Sequence, residues 1–224
     1  MKALVLFSGG IDSSTALAMA VEKYGSDEVI ALSCFYGQKH DREIEAAKNV
    51  AAHYGVRQKI LNLAKIFEDS DSALLKASGE DIPKESYVEG KDKEGLISTY
   101  VPFRNGLFLS VAASVAQANG CEVIYYGAHK DDAAGAAYPD CTPQFNEAMA
   151  KGILEGTGHE VRLEAPFINA NKADVVRMGL ALGVPYELTW SCYEGGDKPC
   201  GKCATCIDRK KAFEENGVKD PAGE

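Results

Sequence analysis

Leu4-Val5-Leu6-Phe7-Ser8-Gly9-Gly10-Ile11-Asp12-Ser13-Ser14 is the stretch on which the fold turns. A continuously apolar run, Lys2–Phe7, has the pattern of a strand buried on both faces. It runs straight into Ser-Gly-Gly, and Ser13–Tyr24 then repeats at helical spacing through Ala16, Leu17, Ala20 and Val21. Glycines let a backbone turn tightly and approach a ligand without Cβ clashes. The unpaired N–H groups of a helix start converge on one point that favours negative charge. Ser8, Ser13 and Ser14 add hydroxyl donors, so the expectation is a pyrophosphate cradle made by Phe7–Ser14. It is not a Walker loop, because no Gly-Lys-Ser/Thr ends it. Nor is it the Gly-x-Gly-x-x-Gly dinucleotide fingerprint.

Outward from this turn, Glu28–Phe35 and Gln58–Leu63 read as strands around an amphipathic helix, Lys39–Tyr54. This β-α-β-α-β order predicts a parallel sheet with helices on both faces. Helix Arg104–Asn119, strand Val123–Tyr126, helix Thr142–Leu154, strand Val161–Ala165 and helix Asn171–Leu182 continue it. Asn171 is placed to cap the last of these, with Asp174 at the positive end. A short helix is expected near Ala204–Glu215. The fold class is α/β and Rossmann-like. Residues 1–186 form the main domain, and 187–224 a small C-terminal segment packed on it. The polar stretch Ala64–Tyr100 breaks the rhythm, as either a functional lid or a solvated excursion.

The chain has 224 residues with a formal net charge of −9 and a pI near 5.0. That is a poor start for a non-specific nucleic-acid or membrane-surface binder. Neither an N-terminal signal peptide nor a membrane-spanning run is read. The expected location is the reducing cytoplasm. Of seven cysteines, Cys34, Cys121 and Cys141 are scattered, whereas Cys192-x7-Cys200-x2-Cys203-x2-Cys206 is a tight cluster. Four thiolates at this spacing suit one closed, structural zinc. An iron–sulfur site is the rival, although those usually continue to a Cys followed by Pro, and here Pro199 precedes Cys200.

The segment Ser8-Gly9-Gly10-Ile11-Asp12-Ser13 resembles the PP-loop of the N-type ATP pyrophosphatases. The whole chain is similar to the 7-cyano-7-deazaguanine synthases. The resemblance is carried by this loop, Phe35-Tyr36-Gly37-Gln38-Lys39-His40, Val101-Pro102-Phe103-Arg104-Asn105, Tyr138-Pro139-Asp140-Cys141, Leu188–Tyr193 and Pro199–Cys203. It implies an ATP-dependent C–N ligase that makes the nitrile 7-cyano-7-deazaguanine (preQ0) from 7-carboxy-7-deazaguanine and ammonia. The loop would hold the pyrophosphate of ATP, with Mg²⁺ as counter-charge and Asp12 near the metal. Ser8, Asp12, Ser13 and Arg104 would be catalytic. The resemblance also implies a homodimer and no stable nucleic-acid partner.

Further roles follow from chemistry. Tyr36, Gly37 and Gln38 end a strand, and their backbone is a candidate adenine reader. Arg104 and Lys172 are candidate counter-charges for phosphate or the substrate carboxylate. A carboxylate can accept both donors of a guanine-like edge, so Asp140 is the first candidate and Asp132 the reserve. Asn105 and Tyr138 belong to the same expected pocket. The run 130–137 departs from the shorter Asp-Tyr-Ser-Gly run frequent in the family, and the departure falls on base specificity. His129 has a possible proton-transfer role; Cys141 reads as a small buried residue. The competing readings are another PP-loop amidating or tRNA-modifying enzyme, and a non-catalytic zinc-containing nucleotide-binding module.

Overall fold

The computed structural model describes residues 1–39, 41–76, 78–79, 98–133 and 138–223. His40, positions 80–97 within the expected lid, and 134–137 within the altered loop lie outside the described residues. Five strands form one parallel sheet in the order β3-β2-β1-β4-β5. They are β1 (Ala3–Leu6), β2 (Val29–Phe35), β3 (Arg57–Asn62), β4 (Val123–Tyr125) and β5 (Arg162–Glu164). The helices are α1 (Ile11–Tyr24), α2 (Arg42–Tyr54), α3 (Arg104–Ala118), α4 (Pro143–Gly156), α5 (Lys172–Ala181) and α6 (Ala204–Glu215).

Strand side chains alternate between faces, and the core divides accordingly. Ala3 and Val5 of β1 pack with α1, α2, α5 and α6. Leu4, between them, packs with α3 and α4 on the opposite face. The expected sheet with helices on both faces is thus present. The C-terminal segment shares the first of these cores, since Ala212 and Phe213 of α6 are fully buried members of it.

The chain winds outward from β1 through β2 to β3, then crosses back to lay β4 on the other side of β1, so β1 is central and strand order reverses beside it. Open parallel sheets bind ligands outside the strand carboxyl ends at such a reversal. The described part of the Ala64–Tyr100 segment packs there. Phe67, Leu74 and Leu75 form a small cluster with Tyr36, Val101 and Phe108. Among the described residues no helix is long and apolar enough to cross a membrane.

Candidate active site

The turn after β1 is stitched by its own serines. Ser8 donates its backbone N–H to Ser13 Oγ at 3.2 Å, and Gly10 N–H reaches Ser8 Oγ at 3.3 Å. Gly9 sits at φ +85°, and a Cβ there would meet Ala47 N at 2.5 Å. Its glycine is therefore required for the turn to lie against α2. Gly10 precedes α1 in extended conformation, and no side chain caps that helix. The amides of its first turn are left for a ligand, as an anion site needs.

These residues open onto a cavity of about 410 Å³. Phe7, Ser8, Gly10, Ile11, Asp12 and Ser13 line it, with Tyr36 and Gln38 from the end of β2. Arg104, Asn105, Asp132, Tyr138 and Lys172 also line it. Four predicted residues do not: Gly9, Gly37, Ser14 and Asp140. Ser14 is fully buried. Gly37, at φ +90°, packs over Ala64. Asp140 is placed behind the pocket, where its Oδ2 accepts the Asn105 N–H at 2.9 Å in the first turn of α3. Its carboxylate thus serves that helix start, and Asp132 is the candidate that reaches the cavity.

Two expected contacts are already occupied from within. The Tyr36 N–H, a candidate adenine donor, goes to Gln38 Oε1 at 2.9 Å. The Lys172 ammonium binds Asp12 Oδ2 at 2.5 Å and lies 3.3 Å from His129 Nε2. Burial works to raise the Asp12 carboxyl, but Lys172 and then His129 outweigh it and hold it below the usual carboxylate range. Lys172 therefore counters Asp12 first. The backbone N–H of Lys172 also reaches Asp131 Oδ2 at 2.8 Å, which fixes the start of α5 against the loop after β4.

Arg104 is placed differently. Its guanidinium lies 5.1 Å over the Tyr36 ring and donates to the Tyr36 hydroxyl at 3.3 Å. Burial disfavours its charge, but the surrounding Tyr36, Tyr193 and Tyr138 phenols and the Cys141 thiol reverse that, so it stays charged. Among the described residues no carboxylate forms an ion pair with it. A cation held by aromatic groups in an open cavity is ready for an incoming anion. The Tyr138 hydroxyl meets Thr99 at 2.6 Å. The Cys141 thiol accepts from Asn105 Nδ2 at 3.1 Å, and burial pushes its pKa up, which keeps it protonated and poorly nucleophilic. His53 and His159 are away from the cavity; His129 is buried in its wall.

The four sulfurs of Cys192, Cys200, Cys203 and Cys206 lie within 4.8 Å of one another, and all four are free of disulfides. Tetrahedral zinc with Zn–S near 2.3 Å needs sulfurs about 3.8 Å apart, so the group fits the ion. Backbone N–H groups point at the sulfurs as thiolates require: Cys200 N–H to Cys192 at 3.3 Å, and Cys203 N–H to Cys200 at 3.3 Å. Hydrogen bonds from Cys192 and Cys206 pull the Cys203 thiol down while those two are pushed up in turn, as sulfurs this close share protons. Four cysteine ligands leave no open position, which suits a structural role.

This cluster is joined to the cavity. Cys203 starts α6, whose Thr205, Asp208, Lys211, Ala212 and Glu215 line the cavity along one face. Trp190 N–H donates to the Gly9 carbonyl at 3.0 Å, which ties the segment to the serine–glycine turn. Buried Arg209 binds Asp220 through two nitrogens at 2.7 and 2.9 Å and also reaches Thr189. Sequence reading missed this wall, the Asp12–Lys172–His129 contact and Glu43, a partly buried carboxyl on α2 that lines the cavity. Only the helical spacing of Thr205, Asp208, Lys211 and Ala212 hinted at the wall; nothing local marked Glu43.

Comparison with known proteins adds an independent line. The family described as queuosine biosynthesis protein QueC matches residues 2–217. The 7-cyano-7-deazaguanine synthase of Archaeoglobus fulgidus is 46% identical, over 99% of this chain and 89% of its own. That of Oceanobacillus iheyensis is 44% identical, over 98% of this chain and 96% of its own. That of Thermoplasma acidophilum is also 44% identical, over 98% and 90%.

Proposed function

The chain belongs to the QueC family of queuosine biosynthesis proteins, and from that premise we propose that it is an ATP-dependent ligase making 7-cyano-7-deazaguanine. The substrates are 7-carboxy-7-deazaguanine, ammonia and ATP with Mg²⁺. One observation carries the reading: an uncapped helix start and an aromatic-held Arg104 face the same cavity. Such a cavity suits a triphosphate and a second anion brought together.

In this reading, the first-turn amides of α1 and the Ser8 and Ser13 hydroxyls hold the pyrophosphate half of ATP. Mg²⁺ supplies counter-charge to the phosphates when bound. Arg104 orients the substrate carboxylate, whose oxygen attacks the α-phosphorus as pyrophosphate leaves. Nucleotidyl transfer of this kind depends on positioning and charge more than on covalent help from the protein. Ammonia displaces AMP to give the amide. A second ATP adenylates the amide oxygen, and loss of AMP and protons leaves the nitrile. Tyr138 and Asp132 flank the deazaguanine, with Asp132 accepting from its N–H edge.

The zinc is structural, held by Cys192, Cys200, Cys203 and Cys206 with one ion per chain, and it keeps α6 against the cavity. The working unit is a homodimer in the cytoplasm, without a stable nucleic-acid partner. The test is pyrophosphate release in the presence of ATP and Mg²⁺. Release that requires 7-carboxy-7-deazaguanine supports the reading. Release independent of that compound, or none at all, rejects it.

A further inference from the structure

The cavity serves anions, yet Glu43 puts a carboxylate in its wall. The other acidic groups there have partners. Asp12 binds Lys172, Asp131 accepts the Lys172 N–H, Asp132 accepts the His129 N–H, Glu215 faces Lys211, and Asp208 is likewise not free. No described residue donates a hydrogen bond to the Glu43 carboxylate. Its charged and titratable surroundings are Arg104 of α3, Tyr36 at the end of β2, and Tyr193 of the zinc segment across the same cavity. On α2 itself, Arg42 turns to Glu45 and Asp197. Glu43 is also held in place, because its carbonyl packs against Gly9 of the phosphate turn.

An unbonded carboxylate beside an anion-binding arginine weakens anion binding, and a cation received there offsets that cost. The cation must be small, because Arg104 is close. Mg²⁺ fills its octahedral shell from one or two carboxylates, phosphate oxygens and waters, but the Arg104 charge that acts on Glu43 repels a divalent ion about twice as strongly as a monovalent one. Ammonium fits better: it is monovalent, it imposes no fixed coordination geometry, and its four N–H donors can be shared among the Glu43 carboxylate, cavity water and the aromatic side chains that line the same cavity, Tyr36 and Tyr193 among them. We propose that Glu43 is the nitrogen site of the enzyme: it binds ammonium, takes one proton from it and delivers ammonia to the activated carboxyl carbon.

This rests on the ligase reading above and adds the nitrogen's place within it. Ammonium gives a proton to a Glu43 oxygen and becomes ammonia. The ammonia lone pair forms the C–N bond, the bond from carbon to the AMP oxygen breaks, and AMP leaves with that electron pair. The proton then shed by nitrogen goes to the departing phosphate, and Glu43 returns its own proton to water. Burial pushes the Glu43 carboxyl up to about 7, with Arg104 pulling the other way. A group poised there accepts and releases a proton at neutral pH.

The test compares the zinc-loaded full chain with Glu43→Gln and Glu43→Asp. Pyrophosphate release is measured first without ammonium, and then amide and nitrile formation against ammonium concentration. Glu43→Gln should release first-turnover pyrophosphate within about twofold of wild type. Its kcat/KM for ammonium at pH 7 should fall about 100-fold. It should recover as pH rises and free ammonia accumulates, while Glu43→Asp should stay within about tenfold. Equal loss of pyrophosphate release and amidation would place Glu43 on the phosphate or magnesium side and overturn the proposal. So would an unchanged ammonium dependence. A wild-type chain that releases no pyrophosphate with the carboxylate would reject the ligase reading and this proposal together, a result distinct from either variant outcome.

Discussion

Asp12 and Lys172 stand far apart in sequence and meet at 2.5 Å, both with only about a quarter or less of the side chain exposed. Asp12→Asn removes the charge that Lys172 answers and should cost about 2 kcal/mol, between the surface and buried limits for ion pairs. Because the Asp12 carboxyl is held below its usual range, its stabilisation is present above that range and is lost as pH falls through the lowered value. The wild-type loss of stability below about pH 4 should therefore be shallower in Asp12→Asn, as followed by urea unfolding across pH. An identical acid limb in both would remove the pair from the account. At this scale the sequence was informative where chemistry is local: Ser8, Asp12 and the cysteines announce themselves by spacing. Lys172 was legible as a cation, but its partner was not, because pairing across α1 and α5 is a tertiary event. Asp140 is a related case. Its neighbours in sequence face the pocket, whereas its carboxylate turns to the start of α3.

Among the elements, the turn between β1 and α1 depends on how closely α2 approaches it. Gly9→Ala puts a Cβ 2.5 Å from Ala47 N at a backbone angle that disfavours side chains. We expect more than about 1 kcal/mol of destabilisation and a large loss of pyrophosphate release. Wild-type melting and activity would show that the turn has room to spare. The N-cap of α4 serves as a contrast, since Thr142 Oγ1 accepts from Phe145 N–H at 3.2 Å and does not line the cavity. Thr142→Ala should cost about 1 kcal/mol in denaturant midpoint while turnover is retained. The inner strands β1, β2 and β4 were readable as continuous apolar runs, because a doubly covered parallel sheet buries them on both faces, whereas the polar edge strands β3 and β5 were readable chiefly from their place in the alternation of strands and helices. What α6 faces was not readable. Its apolar residues are few, and its attachment depends on Arg209, Asp220 and the cysteine cluster.

For the whole molecule, the proposed phosphate site sits in a protein of net charge −9. Zinc bound by the four thiolates would add two further negative charges and bring the total to about −11. In the proposed reading, affinity for ATP comes from the amides of α1 and a few half-buried cations, and the overall field opposes it. Transfer RNA should bind weakly at physiological salt, and tight, salt-sensitive binding would revive the RNA-modifying alternative. Removing the metal should reach the active site, because Cys203 begins the helix that lines the cavity. Cys203→Ser should drop zinc from about one per chain to near none and lower Tm by more than about 5 °C. Iron with a visible chromophore in the wild-type chain would overturn the zinc assignment. The central claim is the conversion of a carboxylate to a nitrile, and its most direct measurement is the mass of the product. Wild-type chain incubated with ATP, Mg²⁺, 7-carboxy-7-deazaguanine and ¹⁵N-ammonium should yield 7-cyano-7-deazaguanine carrying one ¹⁵N. An unlabelled product, an adenylate that never gains nitrogen, or unchanged carboxylate would contradict it.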